Sequence, residues 1–374
     1  MIVVVGAGLI GLGIAFELAT RGAAVRVIDA RRPGAGASWA GAGMLAPYTE
    51  AIPSQSFATF CADSLARYPA FVAALRECGG VDARLHLDGI VEAAYDAAGV
   101  KRLRTHVAGL RACDVDARWL EAGEAHMLEP ALGARVLGAA YSASEGHVDN
   151  RRLGRALHAA CVALGVRIEA DAGEVTLEAD ARRVLGVRGP SGFVPATAVV
   201  NATGAWSARL AGVPERARVA VVPVKGQMLA LAMPLGFVRR VLWVPGAYLV
   251  PRDDGRLLIG ATVEPGRDDV RVTARGIASL LDAALQALPA LGDFTVAETW
   301  AGLRPGTPDG LPYLGETELG GYVVATGHYR NGILLAPATA AAIADVLEAR
   351  PGAAGRLAAF SPRREHGAFA ATAN

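Results

Sequence analysis

Met1-Ile-Val-Val-Val runs straight into Gly6-Ala-Gly8-Leu-Ile-Gly11, a helix-forming stretch follows, and Val25-Arg-Val-Ile closes on Asp29. This is a buried strand, a glycine turn, a helix and a second strand that ends in an acid. Each part suits a dinucleotide. Gly6 permits the tight turn, Gly8 leaves room for a pyrophosphate against the backbone, and Gly11 lets the helix lie close to the strand. The first N–H groups of the helix, with its dipole, then face the phosphates. Asp29 lies 29 − 11 = 18 residues beyond the last glycine, near the spacing at which a carboxylate accepts the ribose hydroxyls. The same acid repels a 2′-phosphate. Glycine turns are common in a chain with 45 Gly, so the flanking strand and acid give the motif its meaning.

At 374 residues the chain exceeds one small core, and two domains are expected. Its 37 basic and 36 acidic residues nearly cancel, leaving a net charge of +1. That balance argues against a nucleic-acid partner or an anionic membrane surface. No stretch approaches the ~18 uncharged apolar residues of a membrane span. The opening apolar run stops at Gly6, too short for a secretory leader. Cys61, Cys78, Cys113 and Cys161 form no CxxC pair, which fits reduced thiols in a cytoplasmic protein. The seven histidines are scattered, so no metal site is expected.

Further along, Arg31 to Met44 is a run of small residues, suited either to a linker or to backbone passing against a flat cofactor. Helical periodicity marks 57–78, 97–110, 119–128, 151–164 and 273–288. Strand signals mark 85–94, 166–169, 174–177, 183–187 and 196–200. Asn201-Ala-Thr-Gly204 reads as a second strand-to-helix turn, with Ser207 as its cap. Successive strands fill 221–262, with Asp253-Asp-Gly255 as a hairpin turn. Trp300 to Gly310 is dense in turn residues. The strand Tyr322–Gly327 leads through His328-Tyr-Arg330-Asn to a helix from Gly332 to near Arg350. With βαβ pieces at the start, middle and end, the expected class is α/β. A discontinuous Rossmann-like dinucleotide domain (1–80, 150–220 and 301–360) is crossed by an α+β substrate domain on a mainly antiparallel sheet (81–149 and 221–300). Residues 361–374 are expected to be a tail. With only one complete glycine motif, the nucleotide is expected to be a resident cofactor.

Several segments carry a resemblance over nearly the whole chain: Gly41-Ala-Gly-Met-Leu45, Asn201–Gly204, Pro223-Val-Lys-Gly226-Gln227, Tyr248-Leu-Val-Pro-Arg252, Gly302-Leu-Arg304-Pro-Gly-Thr and Gly327-His-Tyr-Arg330-Asn-Gly-Ile-Leu-Leu-Ala-Pro337. In these the chain resembles the D-amino-acid oxidase and sarcosine oxidase family of FAD enzymes. Within that family it is most similar to the glycine-oxidising branch of thiamine synthesis. The resemblance implies a glutathione-reductase-type FAD domain. Leu9 and Ile10 would lie on the phosphates, Asp29 and Ala30 at the ribose, and Val175 on the adenine side. Ala37, Ser38, Ala42, Gly43 and Met44 would pass beside flavin and pyrophosphate, with Gly204 at the second turn. His328, Tyr329, Arg330, Asn331, Gly332, Ile333 and Leu334 would cover the flavin's pyrimidine end.

The resemblance further implies Arg304 as the clamp on a substrate carboxylate, through the planar fork of its guanidinium, with Tyr248 and Arg330 completing the pocket. No side chain need serve as acid, base or nucleophile, because FAD carries the redox chemistry. The implied reaction is oxidation of glycine, sarcosine or D-alanine by molecular oxygen, yielding an imine or glyoxylate, ammonia and peroxide. The imine would supply the thiazole of thiamine. Val263 stands where relatives carry a longer methionine, which implies a roomier pocket. No cysteine falls in the C-terminal half, so the FAD is expected to be non-covalent. A homo-oligomer is expected. A D-amino-acid dehydrogenase feeding a quinone, or an FAD-dependent RNA-modification or binding module, stands as the alternative.

Overall fold

The computed structural model describes residues 1–50 and 53–364; most of the expected 361–374 tail lies outside them. The glycine-turn strand Ile2–Val5 sits in the middle of a six-stranded sheet. The order is Tyr313–Glu316, Tyr322–Thr326, Ala198–Asn201, Ile2–Val5, Val25–Ile28 and Arg167–Glu169. All neighbours are parallel except the first pair. Such strands are buried on both faces, which explains their unbroken Val and Ile runs. Val5 lies level with Ile28 on one side and Asn201 on the other, and Asn201 is level with Val324. The turns after Val5, Ile28, Asn201 and Thr326 therefore leave one edge together. Successive strands depart to opposite sides of Ile2–Val5, which opens the crevice where such sheets take ligands.

The helix Leu9–Thr20 is apolar on most sides because it is sandwiched. It packs against the helices Asn150–Ala163 and Ala336–Leu347. A third helix, Gln55–Gly79, starts where Ser54 Oγ accepts from Phe57 N at 3.3 Å and stops at Gly80, whose φ of +71° suits glycine. It covers the same layer and ties down the chain before Ala336. Ser64 Oγ donates to Leu334 O at 2.6 Å, and the Tyr68 hydroxyl donates to Ile333 O.

The second large sheet has nine strands and is mostly antiparallel. Near one end of it, Val222–Ala232 pairs with Val296–Gly306 on one side and Arg256–Gly260 on the other. Helix Ala274–Ala287, capped by Thr273, packs on it. The class expected from sequence, α/β with an antiparallel second sheet, is the one observed.

Four local expectations change. Trp119–Glu121 belongs to a strand, Ala117–Glu121, paired with Gly138–Ser142, and the helix is confined to Ala122–Leu128. Trp300 to Gly306 is not a turn but the end of the strand Val296–Gly306, because pairing with Val222–Ala232 overrides its Gly and Pro content. The boundary expected at 300/301 thus falls inside a strand. Ser207 lies within the 3₁₀ turn Gly204–Arg209 and does not cap it; its hydroxyl donates to Thr326 Oγ1 at 2.7 Å. The last long helix begins at Ala336, with Pro337 in its first turn, and not at Gly332.

Candidate active site

A cavity of about 570 Å³ runs from the glycine turn, across the edge of the parallel sheet, to the face of the antiparallel sheet. At the first end the glycines fit tightly. A Cβ at Gly6, where φ is +108°, would stand 2.5 Å from Ala202 O, and one at Gly11 only 1.9 Å from Gly6 O. Gly8 leaves the helix start without a side-chain cap. Ser38 Oγ instead accepts from Leu9 N at 3.0 Å, so the short helix Ala37–Ala40 lies across the helix terminus. The Asp29 carboxylate is fixed by Ala7 N at 2.6 Å and Arg31 N at 2.8 Å. Arg31, Glu174, Trp206 and Arg209 line the outer end, with the Arg31 guanidinium 3.9 Å over the Trp206 ring.

The other end is built on one face of the antiparallel sheet. Trp300 is directly opposite Met228, Met228 opposite Gly260, and Gly260 opposite Tyr248. Directly opposed residues share a face, as do residues two apart. Gly226, Gly302 and Arg304 therefore look the same way as Met228, Trp300 and Tyr248. The glycines make this face flat. A Cβ at Gly226 would meet the Arg304 guanidinium at 2.3 Å, one at Gly260 the Tyr248 ring at 2.6 Å, and one at Gly302 the Ala40 Cβ at 2.4 Å. Arg304 lies over Gly226, with Nη1 donating to Thr262 O at 3.1 Å.

The segment 328–333 closes the cavity from the helix layer. Tyr329 takes a left-handed φ of +49° and its N–H donates to Pro305 O, which locks this turn to the Arg304 strand. Burial pushes the His328 imidazole down to about 3, so it is neutral; its Nε2 pairs with Thr339 Oγ1 at 3.1 Å. Burial raises the Tyr248 phenol, against the opposing pull of Arg304 and Arg330, and it too stays neutral. Arg330 Nη1 lies 3.4 Å from Glu50 Oε1. Burial lifts the Glu50 carboxyl above the ordinary range, with the charges of Arg330 and Arg304 opposing.

Gly6, Gly8, Leu9, Ile10, Asp29, Ala30, Ala37, Ser38, Ala42, Gly43, Met44, Val175, Gly204, Tyr248, Arg304, His328, Tyr329, Arg330, Gly332 and Ile333 all line this cavity. Gly11, Asn331, Leu334 and Val263 do not. Gly11 works underneath, as the contact between helix and strand. Asn331 and Leu334 are buried behind the wall. Val263 lies off the cavity, while Ala261, two residues earlier, and Met228 line it. Sequence reasoning missed Glu50, Met228 and the role of Gly226, Gly260 and Gly302. The period-two pairs Gly226/Met228 and Gly302/Arg304 held a signal; Glu50, in a loop, held none.

The model of FAD dependent oxidoreductases matches residues 1–346. The chain belongs to this family. An FAD fits the residues present: an extended cavity, a glycine cradle at one end with no room for Cβ atoms, and a flat face at the other. The FAD oxidoreductase chain is 38% identical over 370 residues to a glycine oxidase of Geobacillus kaustophilus, covering 98% of this chain and 97% of that one. It is also 38% identical to the bifunctional protein ThiO/ThiG of Synechocystis. There it covers 97% of this chain but 54% of the relative, so the chain spans about half the length of such bifunctional relatives. The crystal structure of glycine oxidase from Geobacillus kaustophilus superposes with a TM-score of 0.93 at 37% identity, covering 98% of this chain and 99% of that one. Among the described residues, no helix is long and apolar enough to cross a membrane, and no cluster of His, Cys, Asp or Glu is arranged to hold a metal.

Proposed function

We propose that this FAD oxidoreductase oxidises glycine and other small primary or secondary amines, such as sarcosine and D-alanine. The observation that carries this reading is the placement of Arg304 beside Tyr248 on a flat glycine face, at the far end of a cavity whose other end is a dinucleotide turn. FAD, when bound, supplies the acceptor for the two electrons and the hydrogen leaving the substrate Cα. The chain's own task is placement. Arg304 presents a fork to the carboxylate, the Tyr248 phenol adds a neutral donor, and Met228 and Ala261 limit the side chain that fits. Neutral His328 adds no charge of its own to the cavity wall.

The product imine hydrolyses to an oxo acid and ammonia, or serves directly in building the thiazole of thiamine, in keeping with the names of the bifunctional relatives. Oxygen is the proposed electron acceptor. The FAD is proposed to be non-covalent, since no cysteine lines the cavity. A peroxide-coupled screen of glycine, sarcosine and both alanine enantiomers tests this. The reading expects peroxide from glycine. Reduction of the flavin by glycine without peroxide in air would point to a dehydrogenase passing electrons to a quinone. No turnover with any of the four would overturn the amine assignment.

A further inference from the structure

Glu50 is an odd carboxylate. Its side chain is only 9% exposed, yet among the described residues it has one partner, Arg330 Nη1 at 3.4 Å. Other buried carboxylates here are well supplied. Glu145 accepts from Tyr48 N, Thr49 N and the Thr49 hydroxyl. Glu129 accepts from Arg239 N at 3.1 Å and Arg240 Nη1 at 3.3 Å. A buried charge with one long contact is costly unless something else completes its shell. Glu50 lines the same cavity as Arg304, Arg330 and Tyr248. The formal charges facing it there are the two cations Arg304 and Arg330.

We propose that Glu50 is the amine-side residue of the substrate pocket: it accepts a hydrogen bond from the substrate's ammonium group and takes its proton. This rests on the amine-oxidising function proposed above. An amino acid arrives as a zwitterion. Arg304 meets the carboxylate, Glu50 meets the ammonium, and Arg330 holds Glu50 in place and balances its charge. In the step, one ammonium N–H bond breaks and an O–H bond forms on a Glu50 carboxylate oxygen. The electron pair stays on nitrogen, where it is needed to form the C=N bond as the Cα hydrogen leaves with its electrons to FAD. The proton later returns to water. The carboxyl's displacement above the ordinary range brings it closer to the amine's own affinity for a proton, as suits a proton acceptor. The titratable and charged groups facing it are Arg330, Arg304, Tyr248 and, from the helix Gln55–Gly79, the Cys61 thiol. Burial and Glu50 push that thiol up to about 12, so it stays neutral.

The test compares glycine with acetate, which keeps the carboxylate and lacks the amine, on FAD-loaded wild type and Glu50→Gln. Acetate binding is read from the perturbed spectrum of the bound flavin, and glycine from steady-state kinetics across pH. Wild-type kcat/KM is expected to fall as pH drops through the Glu50 pKa, because the protonated carboxyl accepts no proton. Glu50→Gln is expected to lose that acid limb and to raise KM for glycine on the order of ten- to a hundredfold, while acetate binds as well or better. Glu50→Asp, with the charge retracted by one methylene, keeps the limb with a smaller KM rise and carries the comparison if Glu50→Gln does not hold FAD. Equal weakening of glycine and acetate would reduce Glu50 to a support for Arg330 and overturn the proposal. So would an unchanged acid limb or KM. If wild type oxidises no small amine, the functional reading itself fails; turnover with an unaltered Glu50→Gln removes only Glu50.

Discussion

At the scale of single residues, the proposed substrate end rests on Arg304 and the glycine beneath it. Removing the guanidinium leaves the dinucleotide turn untouched, so Arg304→Ala is expected to stay yellow. Its KM for glycine should rise by about a hundredfold, the loss of a charge-assisted pair worth roughly 2–3 kcal/mol. An unchanged KM would take Arg304 out of the pocket. Gly226→Ala places a Cβ 2.3 Å from the Arg304 guanidinium. The arginine tip can swing aside, so the fold should persist while KM rises on the order of tenfold; thermal melting and kinetics on one preparation separate the two effects. Glu145 offers a residue-scale test of stability. Burial lifts its carboxyl to about 7 from an ordinary 4.5, despite the donors Thr49 and Tyr48. A folded-state pKa raised in an acid means that stability is lost as pH rises from about 4.5 to about 7. Glu145→Gln, which cannot ionise, should therefore gain Tm relative to wild type across that window and level off above it. A Tm difference that is flat with pH would contradict the assignment.

The elements differ in how openly the chain displays them. Gly11 belongs to the most legible one. A methyl there meets Gly6 O at 1.9 Å and Ala202 Cβ at 3.3 Å, so Gly11→Ala must part helix from strand. It is expected to cost about 1–3 kcal/mol and to weaken FAD retention, read by melting and by flavin titration of the apoprotein. Retained stability with tight FAD would mean that the helix does not lie as described. That unit could be read from sequence because strand, turn, helix and acid are contiguous and each obeys a local rule. The strand Val296–Gly306 could not, since its strand character comes from a partner some seventy residues away and its own Pro305 and Gly306 argue for a turn. The last helix was misplaced for a related reason. Residues 332–335 continue the apolar run but are held as turns by Ser64 and Tyr68 of a distant helix. The pocket's glycine face was hidden because flatness arises only when Gly226, Gly260 and Gly302 are brought into register on three strands.

Across the whole molecule, one cavity joins two sheets of different kind. The parallel sheet contributes glycine turns, the Asp29 carboxylate and helix N–H groups; the antiparallel sheet contributes the flat face and its arginine. The segment 37–44 and the turn 328–333 bridge them, which is why residues far apart in sequence meet in one site. The central claim is that FAD lies along this cavity with Arg304 holding a small amino acid against it. An anaerobic titration of the FAD-loaded protein with glycine, followed in the flavin's visible absorption, tests it most directly. The account predicts that glycine bleaches the wild-type band, and that Arg304→Ala needs far more glycine to do the same. A protein that takes up no FAD, or whose bound FAD stays oxidised in the presence of glycine, sarcosine and D-alanine, would contradict it.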